Sequence, residues 1–506
     1  MQRRAMRRSR YADLGGEGPW SEVDAVRRQF CFAGFWNGGW TMKRLAILTW
    51  CVAAALISER ALAAVTPQEA DKLGKELTAF GAEKAGNADG TIPAYEGADA
   101  PPPGWEWGKV RRDYWKYKDE KPLFSIDASN VDKYAAHLDD GQITALKTVK
   151  GYRMDVYPTH RDCGITKEYA ERTKANATEA KIGADGWSLE HAKTSGVPFP
   201  IPKSGIEVMY NIKLRPGAQG SVYNDGTSVI SPRPGSDEFT WYQWYLTTYW
   251  PTKRADRQNV EDEGNVDFFM YYAYSKPAAL AGQGFVGTIW QNKDPEQYYY
   301  FPGQRRVRRL PTYVFDTPLI GFENQYLVDE QIGLFMTLDR YDYKLVGKKE
   351  MYVGANVFGM WDYKADPKVV FQKTYINPAY RRYELRRVWV VDAHLKPGFR
   401  HLAPHRTYYV DEDSWDLVDL TDYDKDDKVW KMVSTYSAPM WEVGGMCHMS
   451  PFTMWDLQGG RYVTDWMSIG GGKDIGWIKP GAPDFKQPWM KPDFYTAETL
   501  RSLSER

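Results

Sequence analysis

The side chains best suited to chemistry are few and scattered. His401 and His405 are four apart, a spacing that on a helix would put both imidazoles on one face, ready for a metal ion. Pro404 lies between them and Pro397-Gly398 just before. The segment therefore reads as a connection between strands, and no metal site is expected. Asp422-x-Asp424-x-Asp426 opens like a calcium loop. However, Asp427 stands where the sharp turn needs glycine, and Val433 where a bidentate glutamate belongs. It reads as an acidic β-turn. Tyr157 to Cys163 (YPTHRDC) gathers a hydroxyl, an imidazole, a guanidinium and a thiol, which a Cys–His pair could use. His160 has no evident orienting partner there, so structural anchoring is the simpler reading. Arg305-Arg306-Val307-Arg308-Arg309 could grip phosphate groups. On a strand its members alternate faces, which describes a solvated edge that resists pairing. Nucleophile elbow, phosphate loop, dinucleotide fingerprint and CxxC are all missing. No catalytic residue and no cofactor are expected. A hydrolase using two carboxylates remains an alternative, because a sequence does not show distances.

The elements that would position a site begin after a leader. Residues 1–41 are Arg-rich and aperiodic, and are expected to be an upstream extension from a start codon chosen too early. Residues 42–63 read as a signal peptide: Lys43-Arg44, an apolar run from Leu45 to Ile57, and Ala61-Leu62-Ala63, with cleavage expected between Ala63 and Ala64. Arg27-Arg28-Gln29-Phe30 resembles the core of a twin-arginine signal, but the apolar run starts too far downstream. Either route leads out of the cytoplasm. Trp50 before Cys51 is too large for a lipoprotein box. Cys163 and Cys447 survive cleavage, and whether they pair or stay separate thiols is open. With 66 basic against 66 acidic residues there is no global field for a polyanion, so nucleic acid is excluded as a partner. The 21 Trp and 34 Tyr exclude a disordered chain.

Thr66-Pro67-Gln68-Glu69 is a capping box with proline at the first helical position. Ala70, Leu73, Leu77 and Phe80 follow at helical spacing up to Gly86. Further helices are expected over about 130–138, 167–181 and at 496–506. Gly196 to Gly205 alternates with proline and reads as a stiff extended connection. From about Ile206 the pattern turns to strands. Asp225-Gly226 signals a hairpin, and strands are expected over 238–250, 268–274, 284–291, 298–309, 383–395, 406–410, 415–423 and 429–436. Along Tyr383–Leu395 one face is apolar, with Arg387 the exception, and the other mostly polar, as in an antiparallel sheet with one covered face. Short spacings between strands mean a meander. The fold class is mainly β with α: a large curved antiparallel sheet forming a half-open barrel capped by N-terminal helices. One domain over 64–506 is expected, helical over 64–205 and β-rich over 206–495.

Val197 to Glu207 (VPFPIPKSGIE), Ala82 to Pro93 (AEKAGNADGTIP), Val156 to Arg161 (VYPTHR), Pro302 to Leu310 (PGQRRVRRL), Asp339 to Glu350 (DRYDYKLVGKKE), Arg382 to Pro397 and Asp411 to Trp415 (DEDSW) resemble an uncharacterised Gram-negative periplasmic family of unknown function. That family is often labelled outer membrane lipoprotein-sorting protein. The resemblance spans essentially all of 64–506 and departs at Met209 to Lys213, where Trp-Asn-His would be expected. It implies a LolA/LolB-like fold with an apolar cavity for acyl chains, and a periplasmic location. It also implies a role beside transporters of the resistance-nodulation-division type, with an outer-membrane partner. No catalytic residues carry over. The function expected is therefore a periplasmic carrier of a lipid or other hydrophobic molecule. The residues expected to line its cavity are Trp241, Tyr245, Trp389, Val391, Trp430 and Met432, with Phe199 at the rim. A periplasmic glycan-binding protein is the alternative, since aromatic faces also stack on sugars.

Overall fold

The computed structural model describes residues 65–98, 100–478 and 486–505. The upstream extension, the signal peptide and its cleavage site lie outside these residues. The strands are β1 (Phe124–Ile126), β2 (Met154–Val156), β3 (Lys181–Ile182), β4 (Leu189–Glu190), β5 (Gly220–Ile230), β6 (Thr240–Tyr249), β7 (Val266–Lys276), β8 (Gly284–Trp290), β9 (Glu296–Phe301), β10 (Arg306–Arg309), β11 (Tyr341–Gly354), β12 (Tyr383–Leu395), β13 (His405–Asp411), β14 (Leu417–Tyr423), β15 (Val429–Thr435), β16 (Ala438–Met440), β17 (Met446–His448), β18 (Phe452–Asp456), β19 (Arg461–Met467) and β20 (Gly476–Ile478). The helices are α1 (Pro67–Ala70), α2 (Val131–Tyr134), α3 (Asp140–Thr148), α4 (Lys167–Glu179), α5 (Gly205–Leu214), α6 (Pro367–Val370) and α7 (Ala497–Ser504).

Sixteen of the strands form one sheet. From β11 it runs through β12, β13, β14, β15, β18, β19, β5, β6, β7, β8 and β9 to β10, each neighbour antiparallel. β10 and β11 do not pair, so the sheet stays open and its hollow is a half-barrel. Among the described residues no helix is long and apolar enough to cross a membrane.

The hollow is filled by the protein's own chain. α5 lies on β11, so closely that a Cβ on Gly205 would come within 2.5 Å of the Tyr343 carbonyl oxygen. Val208, Met209, Tyr210, Ile212 and Leu214 of this helix join the main core. Here the structure overturns the strand expected from Ile206: the helix is buried almost all round, its polar Asn211 and Lys213 included, so no amphipathic period marks it. The connection between β10 and β11 supplies Phe315, Leu319, Phe322, Tyr326, Phe335 and Leu338 to the same core. On the outer face α3, with its Asp139–Gln142 capping box, packs over β14 and β15 in a second core. α7 closes a third over β8 to β10.

Other local expectations also meet tertiary constraints. The first helix keeps its capping box but stops at Ala70, and the chain turns at Gly74 with φ +79°. Asp225-Gly226 makes no hairpin. It is a bulge within β5, where a Cβ on Gly226 would strike the Trp244 ring at 2.0 Å. Residues 298–309 split into the hairpin of β9 and β10.

β12 is buried on both faces, which corrects the reading of one covered face. Its charges are covered by ion pairs. Arg161 grips Asp413 with two hydrogen bonds of 2.6 and 2.8 Å and also donates to the Glu83 and Pro93 carbonyl oxygens. Arg386 reaches Asp413 and the His160 carbonyl oxygen, Arg387 reaches Glu412 and the Ala85 carbonyl oxygen, and Arg382 bridges Glu384 and Glu120. Beside them burial pushes the Asp411 carboxyl up to about 7, against the pull of Arg386.

Folding therefore takes up a proton at Asp411 that the unfolded chain releases near 3.8. This group's contribution to stability is full at low pH and lost as pH rises through about 7. Urea unfolding of Asp411→Asn between about pH 5 and 7 should show a pH slope shallower than that of the parent by about 1.4 kcal/mol per unit.

Candidate functional site

Between the sheet and the plug the hollow is nearly full. Trp244, Leu246, Met270, Tyr272 and Tyr274 face Leu319, Phe322, Tyr326 and Gln331, with Asp465 and Trp466 at one side. They leave about 30 Å³ for the centres of water-sized molecules, space for about two waters. Asp465 is raised by burial and held by the hydroxyls of Ser228 and Tyr326.

A far larger space opens elsewhere. A cleft of about 540 Å³ is walled by Trp105, Trp107, Trp441 and Trp477, with Pro101, Glu106, Glu442 and Gly476. Three stretches of chain build it. Trp105 and Trp107 come from the loop after the Pro101-Pro102-Pro103 run, where Trp105 donates to the Lys109 carbonyl oxygen at 3.2 Å and Trp107 to that of Ile475 at 2.8 Å. Trp441 and Glu442 sit at the tip of the β16–β17 hairpin. Trp477 lies on β20, which pairs with β5. Trp105 meets Trp441 edge to face at 5.0 Å, and Trp477 packs on His448 at 4.4 Å. The hairpin is fixed by a disulfide from Cys447 to Cys163, closing 284 residues, a constraint worth roughly 5 kcal/mol on the chain-entropy account. Gly164 N–H donates to the Gly445 carbonyl oxygen at 2.7 Å beside it.

Under the cleft, buried Arg111 pairs with Glu442 and donates to both oxygens of Asp474 at 2.8 and 2.9 Å. Burial raises the Glu442 carboxyl and Arg111 pulls it back. Three buried polar atoms on the cleft residues have no protein partner: the indole N–H groups of Trp441 and Trp477, and one oxygen of Glu442. Such groups cost free energy until a hydrogen bond reaches them. Trp107 stays 55% exposed. The cleft surface is thus apolar and aromatic, and the three unpartnered atoms lie beneath it, covered from solvent.

The seven residues expected to line the cavity divide. Phe199 and Val391 belong to the main core and Trp389 packs against it, stacked on Trp415 at 6.2 Å. Trp241 and Met432 belong with the outer core, and Tyr245 with the C-terminal one. On β6 it is Tyr242, Trp244 and Leu246 that face the hollow, one residue out of register with Trp241 and Tyr245. Trp430 is the half-buried residue left unpaired at the bulge where β15 meets β14. None of the seven borders the tryptophan cleft.

The polar constellations resolve simply. His160 stacks on Tyr117, ring centroids 3.4 Å apart, and hydrogen-bonds Glu120 at 2.8 Å. Buried Asp422 pairs with Arg406, while Asp424 caps its own turn. His401 turns inward to Asp329. Asp392, His394 and His405 bring three metal-type donor atoms within 4.8 Å of one another. Arg306 to Arg309 form the exposed edge strand β10.

A family described as Protein of unknown function (DUF1329) matches residues 125–501. An uncharacterized protein of Pseudomonas aeruginosa is 35% identical over 432 residues, 83% of this chain and 92% of that one. Among solved structures, a domain from Vibrio parahaemolyticus named for outer membrane lipoprotein sorting aligns at TM-score 0.40 and 12% identity, over 59% of this chain and 98% of that one. A LolA superfamily protein from Nitrosomonas europaea aligns at TM-score 0.33 and 11% identity, over 58% and 98%.

Replacing Arg111 by Met would leave Glu442 and Asp474 buried without their cation. The expected loss is about 3–5 kcal/mol in urea unfolding, with a red shift of tryptophan emission as Trp441 loses its support.

Proposed function

We propose that this chain, which belongs to the DUF1329 family of proteins of unknown function, is a binding protein that carries a hydrophobic or amphipathic molecule in its tryptophan-walled cleft. The observation that carries the reading is the cleft itself: about 540 Å³ with four Trp in its walls, within the usual range of small-molecule sites. The filled hollow moves the site from the interior of the sheet to its rim. The aromatic walls suit the apolar chain of a lipid. The signal-peptide pattern and the pairing of Cys163 with Cys447 support a periplasmic location. The family resemblance makes a transporter of the resistance-nodulation-division type the partner for hand-over. The role is binding and delivery, without catalysis.

Glycan binding is the second reading, favoured by the exposed face of Trp107, on which a sugar ring could stack.

Solvent extraction of protein purified from the periplasm, followed by mass spectrometry, should yield a lipid at near-stoichiometric amount, and the double substitution Trp105→Ala/Trp107→Ala should lower its yield several-fold. Protein free of lipid that binds oligosaccharides through the same two tryptophans would decide for the glycan reading. Lipid unaffected by the double substitution would remove the cleft from the account.

A further inference from the structure

His394 on β12 and His405 on β13 are direct partners in the antiparallel register, and their rings stack with centroids 4.4 Å apart. Asp392 lies two residues before His394, on the same face of the strand. One of its carboxylate oxygens is 2.8 Å from His405 Nε2 and the other 3.1 Å from His394 Nε2. Behind His405, its Nδ1 is 2.5 Å from a carboxylate oxygen of Asp427 in the β14–β15 turn, and its ring stacks on Tyr423 at 4.1 Å.

His405 therefore faces a carboxylate oxygen at each ring nitrogen. The two imidazole Nε2 atoms and the Asp392 carboxylate thus come together across two paired strands. We propose that they hold a divalent transition-metal ion such as Zn²⁺ between β12 and β13. Two imidazoles and one carboxylate are a ligand set such ions accept. Asp427 on Nδ1 is the outer carboxylate that fixes the tautomer of a ligating histidine and raises its basicity.

The dimensions agree. Donors bound to one Zn²⁺ at about 2.0–2.2 Å lie about 3–4 Å apart, and the three here already lie within 4.8 Å. His394 is 59% exposed while Asp392 and His405 are mostly covered. The ion keeps open positions toward solvent, the arrangement of a site that exchanges its ion. The site lies outside the cleft's walls, so it stands or falls independently of the carrier reading.

The test uses the tag-free chain, stripped with a chelator and dialysed against Co²⁺ or Zn²⁺. One ion per chain by elemental analysis is expected, with visible absorption of bound Co²⁺ typical of nitrogen and oxygen ligands. His394→Ala and Asp392→Asn should each abolish retention with an unchanged circular dichroism spectrum, and Asp427→Asn should weaken it about 10–100-fold. Failure to retain an ion would overturn the proposal. Retention that survives His394→Ala would overturn it as well.

Discussion

Charge buried along β12 is the constraint from which the rest of the structure follows. Arg161, Arg386 and Arg387 meet Glu412 and Asp413 out of water. Ion pairs so buried recover their desolvation only with further hydrogen bonds to the charged groups. Those bonds come from far along the chain: the carbonyl oxygens of Glu83, Ala85, Pro93 and His160 accept from the guanidinium groups, leaving the Arg386 Nε unpartnered. They dock the N-terminal segment and the 157–163 segment against β12. Well-packed apolar residues could match such pairs in stability, so their contribution here is to specify one arrangement.

That arrangement builds the cleft. Docking Arg161 sets Cys163, two residues on, against Cys447, and the β16–β17 hairpin that carries Cys447 holds Trp441 and Glu442 at its tip. Arg111 then ties Glu442 to Asp474, two residues before β20 and its Trp477. Each link joins segments separated by hundreds of residues, and each is a charged or covalent contact. Apolar packing alone would leave the hairpin free to slide, since one hydrophobic neighbour substitutes readily for another.

Where one local pattern ruled, the sequence could be read. β12 is Tyr383–Leu395 in both reading and structure, and α4 and α7 fall where their caps put them. The antiparallel sheet followed from the meander spacing, and its half-open form from the family resemblance. The faces could not be read, because plug and outer helices cover the sheet on both sides. In β6, aromatic residues occupy both alternations, and a slip of one residue exchanges every side chain. Trp241 and Tyr245 were placed inside on that basis, while Trp244 and Leu246 hold the position. β11, with its alternating charges, gave no strand signal although it pairs β12 along its whole length. The cleft left no trace at all: its tryptophans, at 105, 107, 441 and 477, share no motif, and only the disulfide candidate pointed toward their region. For the histidines, spacing along the chain suggested His401 as the partner of His405, whereas the sheet pairs it with His394.

A binding site at the rim has energetic consequences that an interior cavity would not. An interior site would require the plug to leave, exposing Phe322, Tyr326 and their neighbours at about 25 cal/mol per Å². The rim cleft needs no such opening. Tryptophan faces covered by a ligand leave water at about 25 cal/mol per Å², and only the surplus over the losses of association appears as affinity. The unpartnered groups of Trp441, Trp477 and Glu442 stay covered beneath the walls, so a ligand gains chiefly by the fit of its apolar body against the more accessible rings of Trp105 and Trp107.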